Sequence, residues 1–88
     1  MTPSGIVLTN LDTLPLYFAV FDARALPLIE WVPCTDATRC ERVPAGAHRM
    51  IGMSPRASDT AVVFWWRLIR ASDTTFVPDS VRAVTVVR

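Results

Sequence analysis

The sequence contains no lysine: all nine of its basic residues are arginines, and eight acidic residues balance them to a formal net charge of +1. Charged residues make up 19% of the 88 residues, below the usual share of about 25%. The arginines are spread along the whole chain, so they do not predict a stripe of charge that tracks phosphates. We therefore expect no nucleic-acid partner.

Long apolar runs are also missing. The longest, at 14–21 and 61–66, fall well short of the ~18 residues that a membrane-spanning helix needs. The first residues lack the positive start of a signal peptide, and no small-residue cleavage site follows an apolar run. We expect no membrane span, and the sequence leaves the localisation of the protein unknown.

Glycine occurs three times and histidine once, and no Gly-x-Ser-x-Gly, Walker or dinucleotide-type glycine loop is present. The pentapeptide at 56–60 recurs at 70–74, on either side of a predicted strand. Its two aspartates, Asp59 and Asp73, are then roughly 30 Å apart and cannot form a catalytic pair. We predict that the protein is not an enzyme, with no catalytic residue and no cofactor.

What the chain does have is an excess of apolar residues, 51% of the total. A single domain spanning 1–88 buries only about 60–65% of its unfolded surface, so part of this apolar excess stays exposed. Exposed apolar surface with few charges favours association. We therefore expect a protein partner, either copies of this chain or a larger assembly. The alternative is a monomer whose core is rich in valine and leucine.

Seven prolines and three glycines divide the chain into short apolar runs, which is typical of antiparallel sheets. The pattern predicts an all-β fold, a small antiparallel β-sandwich of six to seven strands, immunoglobulin-like or a related Greek key. One short helical turn is expected at 35–42, where Thr38 and Glu41 have capping-box spacing. The expected strands lie around 6–8, 14–21, 26–32, 47–53, 61–70 and 81–87.

The run from Ala61 to Arg70 is apolar on both of its alternating faces. Such a strand is either covered on both faces or uses its second face as a contact surface. That second face carries Trp65, Arg67 and Ile69, and tryptophan and arginine are enriched at interface hot spots. These three residues are the predicted interface, with a covering loop as the alternative.

Cys34 and Cys40 are the only cysteines. Their spacing fits neither a zinc site nor a Cys-x-x-Cys redox pair. It favours a local disulfide that closes a polar loop, with two free thiols or a metal or redox role as alternatives. A disulfide would indicate an extracytoplasmic compartment, although no signal peptide is visible.

The sequence therefore predicts a non-catalytic structural or interaction module, a small subunit of a homo-oligomer or larger assembly that associates through an apolar strand face or an edge strand. One alternative is a small ligand- or metal-binding domain of the copper type, with His48, Met50 and Met53 as soft ligands. Only two of these share a strand face, so no metal site is predicted. A third reading is a secreted enzyme inhibitor that presents the Cys34–Cys40 loop as a rigid insert.

Overall fold

The structure, a computed structural model, describes residues 5–52 and 59–87. These residues form six strands and one short 3₁₀ helix, Leu26–Leu28. No helix within the described ranges is long and apolar enough to cross a membrane. The strands are β1 Gly5–Thr9, β2 Leu16–Asp22, β3 Arg42–Val43, β4 His48–Gly52, β5 Thr60–Arg70 and β6 Phe76–Val87.

The strands form two sheets, and every pairing is antiparallel. β1 and β4 make a two-stranded sheet, whereas the other four strands lie in the order β3-β2-β5-β6. This architecture confirms the predicted all-β class. The finer prediction of an immunoglobulin-like or Greek-key sandwich stays a prediction.

One predicted strand is wrong. The run 26–32 begins with the 3₁₀ helix, which contains Pro27, and continues to residue 36 without regular secondary structure. This segment is apolar for a different reason: Trp31 packs on the large sheet without being part of a strand. Its ring centroid lies 4.5 Å from that of Phe64. A sixth strand is found instead at Arg42–Val43, which pairs with the start of β2.

In place of the short helical turn expected at 35–42, the structure has a hydrogen-bonded turn that is not part of a helix. The Cys40 backbone N–H donates to the carbonyl oxygen of Asp36 at 2.9 Å, and no helix follows. The Asp36 side chain, rather than a Thr38–Glu41 capping box, organises this turn, since it accepts from the Thr38 backbone N–H at 2.9 Å.

The core lies on both faces of the large sheet, which explains why β5 is apolar on both sides. On one face, Ala61 and Val63 cluster with Ile6 of β1. On the other face, Trp66 clusters with Tyr17 of β2 and with Cys40. The small sheet thus covers one face, and the segment that carries the cysteines covers the other.

Candidate interaction surface

Strand β6 is the outer strand of the large sheet. It is twelve residues long and pairs with β5 on one side. Among residues 5–52 and 59–87, no strand pairs with its other side. The outer side of β6 therefore presents backbone N–H and C=O groups that no described strand satisfies, which is the condition for adding a further strand.

The side chains of β6 are unusually apolar for such an exposed strand. Val81, Val84 and Val87 are 41%, 46% and 76% exposed. Arg82 is the only charged residue in 81–87. Edge strands are usually protected by charges or proline, and this half of β6 has no proline and a single charge.

The register assigns these side chains to the two faces of the sheet. Val84 lies opposite Val63, and Val86 lies opposite Ala61, so both valines share the face that the small sheet covers. Val86 is partly buried there, whereas Val84 is more exposed. Thr85 lies opposite Val62 and points to the other face.

The first half of β6 differs, because its pairing with β5 is interrupted. Trp65 lies opposite Arg82 but Arg67 lies opposite Asp79, so β6 has one extra residue between the two pairs. Ser80, in that extra stretch, has a φ of +49°, which is left-handed. Pro78 two residues earlier has no N–H to offer a neighbour. The bulge, the proline and Asp79 together protect the first half of the edge.

A cleft of about 170 Å³ opens at this bulge. Ligand pockets usually measure about 300–1,000 Å³, so the cleft is small for an organic ligand. The Arg67 guanidinium, one of its walls, forms an ion pair with Asp12. The cleft is lined by Leu16, Trp65, Trp66, Arg67, Asp79, Ser80 and Arg82.

The structure separates the three residues of the predicted interface. Trp65 is partly buried and packs against the cluster of Ile6, Ala61 and Val63. Arg67 is exposed and ion-paired. Ile69 is 48% exposed, opposite Val77 of β6. The face is therefore covered at its Trp65 end and open towards Ile69.

The predicted disulfide is confirmed: Cys34 and Cys40 are bonded, with their Cα atoms 5.7 Å apart. Trp66 fixes this loop on the sheet, because its Nε1–H donates to the carbonyl oxygen of Cys34 at 3.0 Å. Within the loop, the hydroxyl and the backbone N–H of Thr38 hold the pKa of Asp36 below its usual value. A disulfide is compatible with an extracytoplasmic location.

Two residues of the copper alternative lie on the small sheet. His48 and Met50 are exposed on β4, opposite Thr9 and Val7 of β1. Met53, the third, lies outside the described residues. No cluster of three or more His, Cys, Asp or Glu side chains that could hold a metal ion is found in the ranges 5–52 and 59–87.

Comparison with known proteins adds no family to this description. No protein-family model matches the chain, and neither the curated proteins nor the solved structures include a match to it. Function is therefore inferred from the chain's own geometry.

The sequence predicts the strand at 81–87 but does not single it out as the contact surface. Alternation shows which side chains share a face, but it does not show which strand lies at the edge of a sheet. The available signals were local ones, namely Pro78 and Asp79 ahead of a segment of seven residues with one charge.

Proposed function

We propose that this chain is a non-catalytic subunit that assembles with other protein chains, in the first place with copies of itself, through strand β6. The observation that carries the proposal is the second half of β6, an edge segment with exposed valines and a single charge. Under this proposal, the chain performs no reaction and needs no cofactor.

An edge strand of this kind differs between its free and its paired state in what surrounds its backbone groups and its valines. Its outer N–H and C=O groups are satisfied by water when the strand is free and by a neighbouring strand when it is paired. Pairing alone gives little net free energy, since hydrogen bonds to water are exchanged for hydrogen bonds to protein. Removing Val81, Val84 and Val87 from water supplies the driving force.

The composition supports the same proposal. With 51% apolar and 19% charged residues, the chain has more apolar material than a domain of 88 residues can bury. Part of the apolar surface that stays exposed lies on the second half of β6. The first half of the same strand is protected by a bulge and a proline. Protection of only one half of the edge favours a role for the other half.

Only part of the β5 face that the sequence predicts as an interface contributes to the proposed contact surface. Trp65 supports the fold as a neighbour of the cluster around Ile6, whereas Arg67 and Ile69 are exposed. We propose these two residues as a secondary contact on the same face as Val77 and Val84. We also retain the sandwich description, with β1 and β4 as its smaller layer, because Ile6 packs on Ala61 and Val63.

The experiment compares Val84→Lys with Val32→Lys in sedimentation velocity over a range of concentrations. Val84 is on the edge segment, whereas Val32 is 81% exposed and lies outside every strand. We expect the wild type and Val32→Lys to sediment as a multiple of 9.8 kDa and Val84→Lys to remain at 9.8 kDa. Far-UV circular dichroism checks that both variants are folded. A wild type that stays monomeric at its highest soluble concentration contradicts the proposal, as does a Val84→Lys variant that assembles normally.

A further inference from the structure

We infer that the partner of β6 is a second copy of this chain, paired antiparallel about a two-fold axis that passes through Val84. This inference rests on the proposed function and adds the identity, direction and register of the partner strand. Three properties of the segment 81–87 support it: its limits, its charge and its apolar side chains.

The limits of the segment select the register. Regular pairing is available only after the bulge at Ser80, and β6 ends at Val87. An antiparallel pair centred on Val84 uses all seven residues from Val81 to Val87 and none of the bulge. If the pair were centred on Ala83, Ser80 would lie opposite Val86, and a residue with a left-handed backbone would have to pair in the ladder. If the pair were centred on a residue after Val84, fewer residues would pair. In the chosen register, Val84 meets Val84, Ala83 meets Thr85, Arg82 meets Val86 and Val81 meets Val87.

The charge selects the direction. Arg82 is the only charged residue of the segment. In a parallel, in-register pair the two copies of Arg82 would lie about 5 Å apart, and like charges directly opposite are destabilising. Antiparallel pairing about Val84 sets each Arg82 opposite a valine. The two guanidinium-bearing positions are then four residues apart along the strands, about 13 Å, which exceeds the screening length of about 8–10 Å.

The apolar side chains account for the affinity. In the paired state Val84 of each copy lies beside its own symmetry mate, and Val81 lies beside Val87 at both ends of the ladder. These three valines are the exposed large apolar residues of the strand. Because the axis is perpendicular to the sheet, the small sheets of both copies lie on the same side of one continuous sheet.

The other strand edges fit this role less well. The opposite edge of the large sheet is β3, which has only two residues. In the small sheet, β1 and β4 have five residues each, and β4 carries His48 and Arg49. Among the described strands β6 thus has the longest edge, and its second half carries a single charge, whereas β1 is uncharged but has only five residues.

The test is cysteine cross-linking in the full-length chain with the native disulfide kept. Opposite residues in an antiparallel pair have Cα atoms about 4.5–5.5 Å apart, within the 4.4–6.8 Å that a disulfide spans. We expect Val84→Cys to form a covalent dimer under mild oxidation. Ala83→Cys and Thr85→Cys should each stay uncross-linked alone, because like positions are then about 8 Å apart, but a mixture of the two should form the heterodimer. Peptide mapping confirms that Cys34 and Cys40 remain paired with each other.

The outcomes separate this inference from the proposed function. If the wild type assembles and Val84→Lys dissociates it, but Val84→Cys does not cross-link, the register is wrong and the proposed function stands. If all three single-cysteine variants cross-link, the strands are parallel and the inference is overturned. If the wild type is monomeric, or if Val84→Lys assembles normally, both the inference and the proposed function are overturned.

Discussion

The indole nitrogen of Trp66 donates a hydrogen bond to the carbonyl oxygen of Cys34 at 3.0 Å, so the buried centre of the large sheet holds the disulfide loop directly. Trp66 is 2% exposed, and its ring centroid lies 6.0 Å from that of Trp31. The loop needs this attachment because, apart from its single turn, it has no regular secondary structure. The Trp66 side chain therefore adds a directional bond to the packing of Cys40 that also holds this segment on the core.

Replacing Trp66 by phenylalanine tests this connection. We expect Trp66→Phe to lower the free energy of unfolding by about 2 kcal/mol, because it removes a hydrogen bond to a partly buried carbonyl and leaves space around a smaller ring. Trp31→Phe is the control, since Trp31 is only partly buried and loses the same ring volume. Urea unfolding followed by far-UV circular dichroism gives both values, and equal losses would contradict a special role for the indole N–H.

The fold class and the central strand could be predicted from the sequence because both follow from local pattern. Alternation over Ala61–Arg70 correctly indicates two apolar faces, and both faces are covered over Ala61–Trp66. The disulfide could be predicted because two cysteines six residues apart have few other uses.

Other features depend on contacts that sequence spacing does not encode. The apolar run 26–32 has the composition of a strand, yet Trp31 is used to cover Phe21 and Phe64. Trp65 and Trp66 are neighbours with the same residue type, and only the packing of Ile6 on one face and Tyr17 on the other gives each its role. The position of β6 at an edge is a property of strand order, which two distant parts of the chain decide together.

Asn10 provides a second test, because it is a buried polar side chain with every group satisfied. It is 3% exposed; its Nδ2 donates to the carbonyl oxygens of Leu14, Val43 and Pro44 at 2.7, 3.1 and 3.3 Å, and its Oδ1 accepts from the Asp12 backbone N–H. We expect Asn10→Asp to destabilise the fold by about 3 kcal/mol at neutral pH, since a carboxylate would face three carbonyl oxygens.

The pH dependence distinguishes this electrostatic cost from a loss of packing. Burial against carbonyl oxygens raises the pKa of the introduced carboxyl in the folded state. The stability that the protonated carboxyl contributes is fully present below about pH 3.9, which is the pKa of an aspartic acid in the unfolded chain. It is lost as the pH rises through the pKa of the carboxyl in the folded state. Thermal unfolding should therefore show Asn10→Asp approaching the wild type at low pH, and a deficit that is constant with pH would contradict this account.

Substitutions at Ser80 test the backbone strain at the bulge of β6. The Ser80 φ of +49° places a residue with a Cβ atom in the left-handed region, which costs roughly 1–2 kcal/mol for residues other than glycine. We expect Ser80→Gly to stabilise the chain by up to about 1 kcal/mol, because the entropy that glycine loses on folding offsets part of the relief. Ser80→Ala is the matched control, since it keeps the Cβ atom and should give no gain in chemical denaturation. A gain in both variants would point to the hydroxyl rather than to the backbone.

The pKa of Asp36 reports on the hydrogen bonds within the disulfide loop. The Thr38 hydroxyl donates to Asp36 Oδ1 at 2.6 Å and is the first cause of the lowered pKa of that carboxyl, followed by the Thr38 backbone N–H. Burial opposes them, and the charge and the backbone N–H of Arg39 add smaller lowering effects. Because the folded pKa lies below the unfolded one, the stability that this carboxylate contributes is present above about pH 3.9 and is lost as the pH falls through the folded value. We expect Thr38→Ala to raise the titration midpoint of the Asp36 side-chain carbon in NMR, whereas Thr38→Ser, which keeps the hydroxyl, should leave it low. An unchanged midpoint in Thr38→Ala would show that the backbone N–H and Arg39 alone hold the carboxylate.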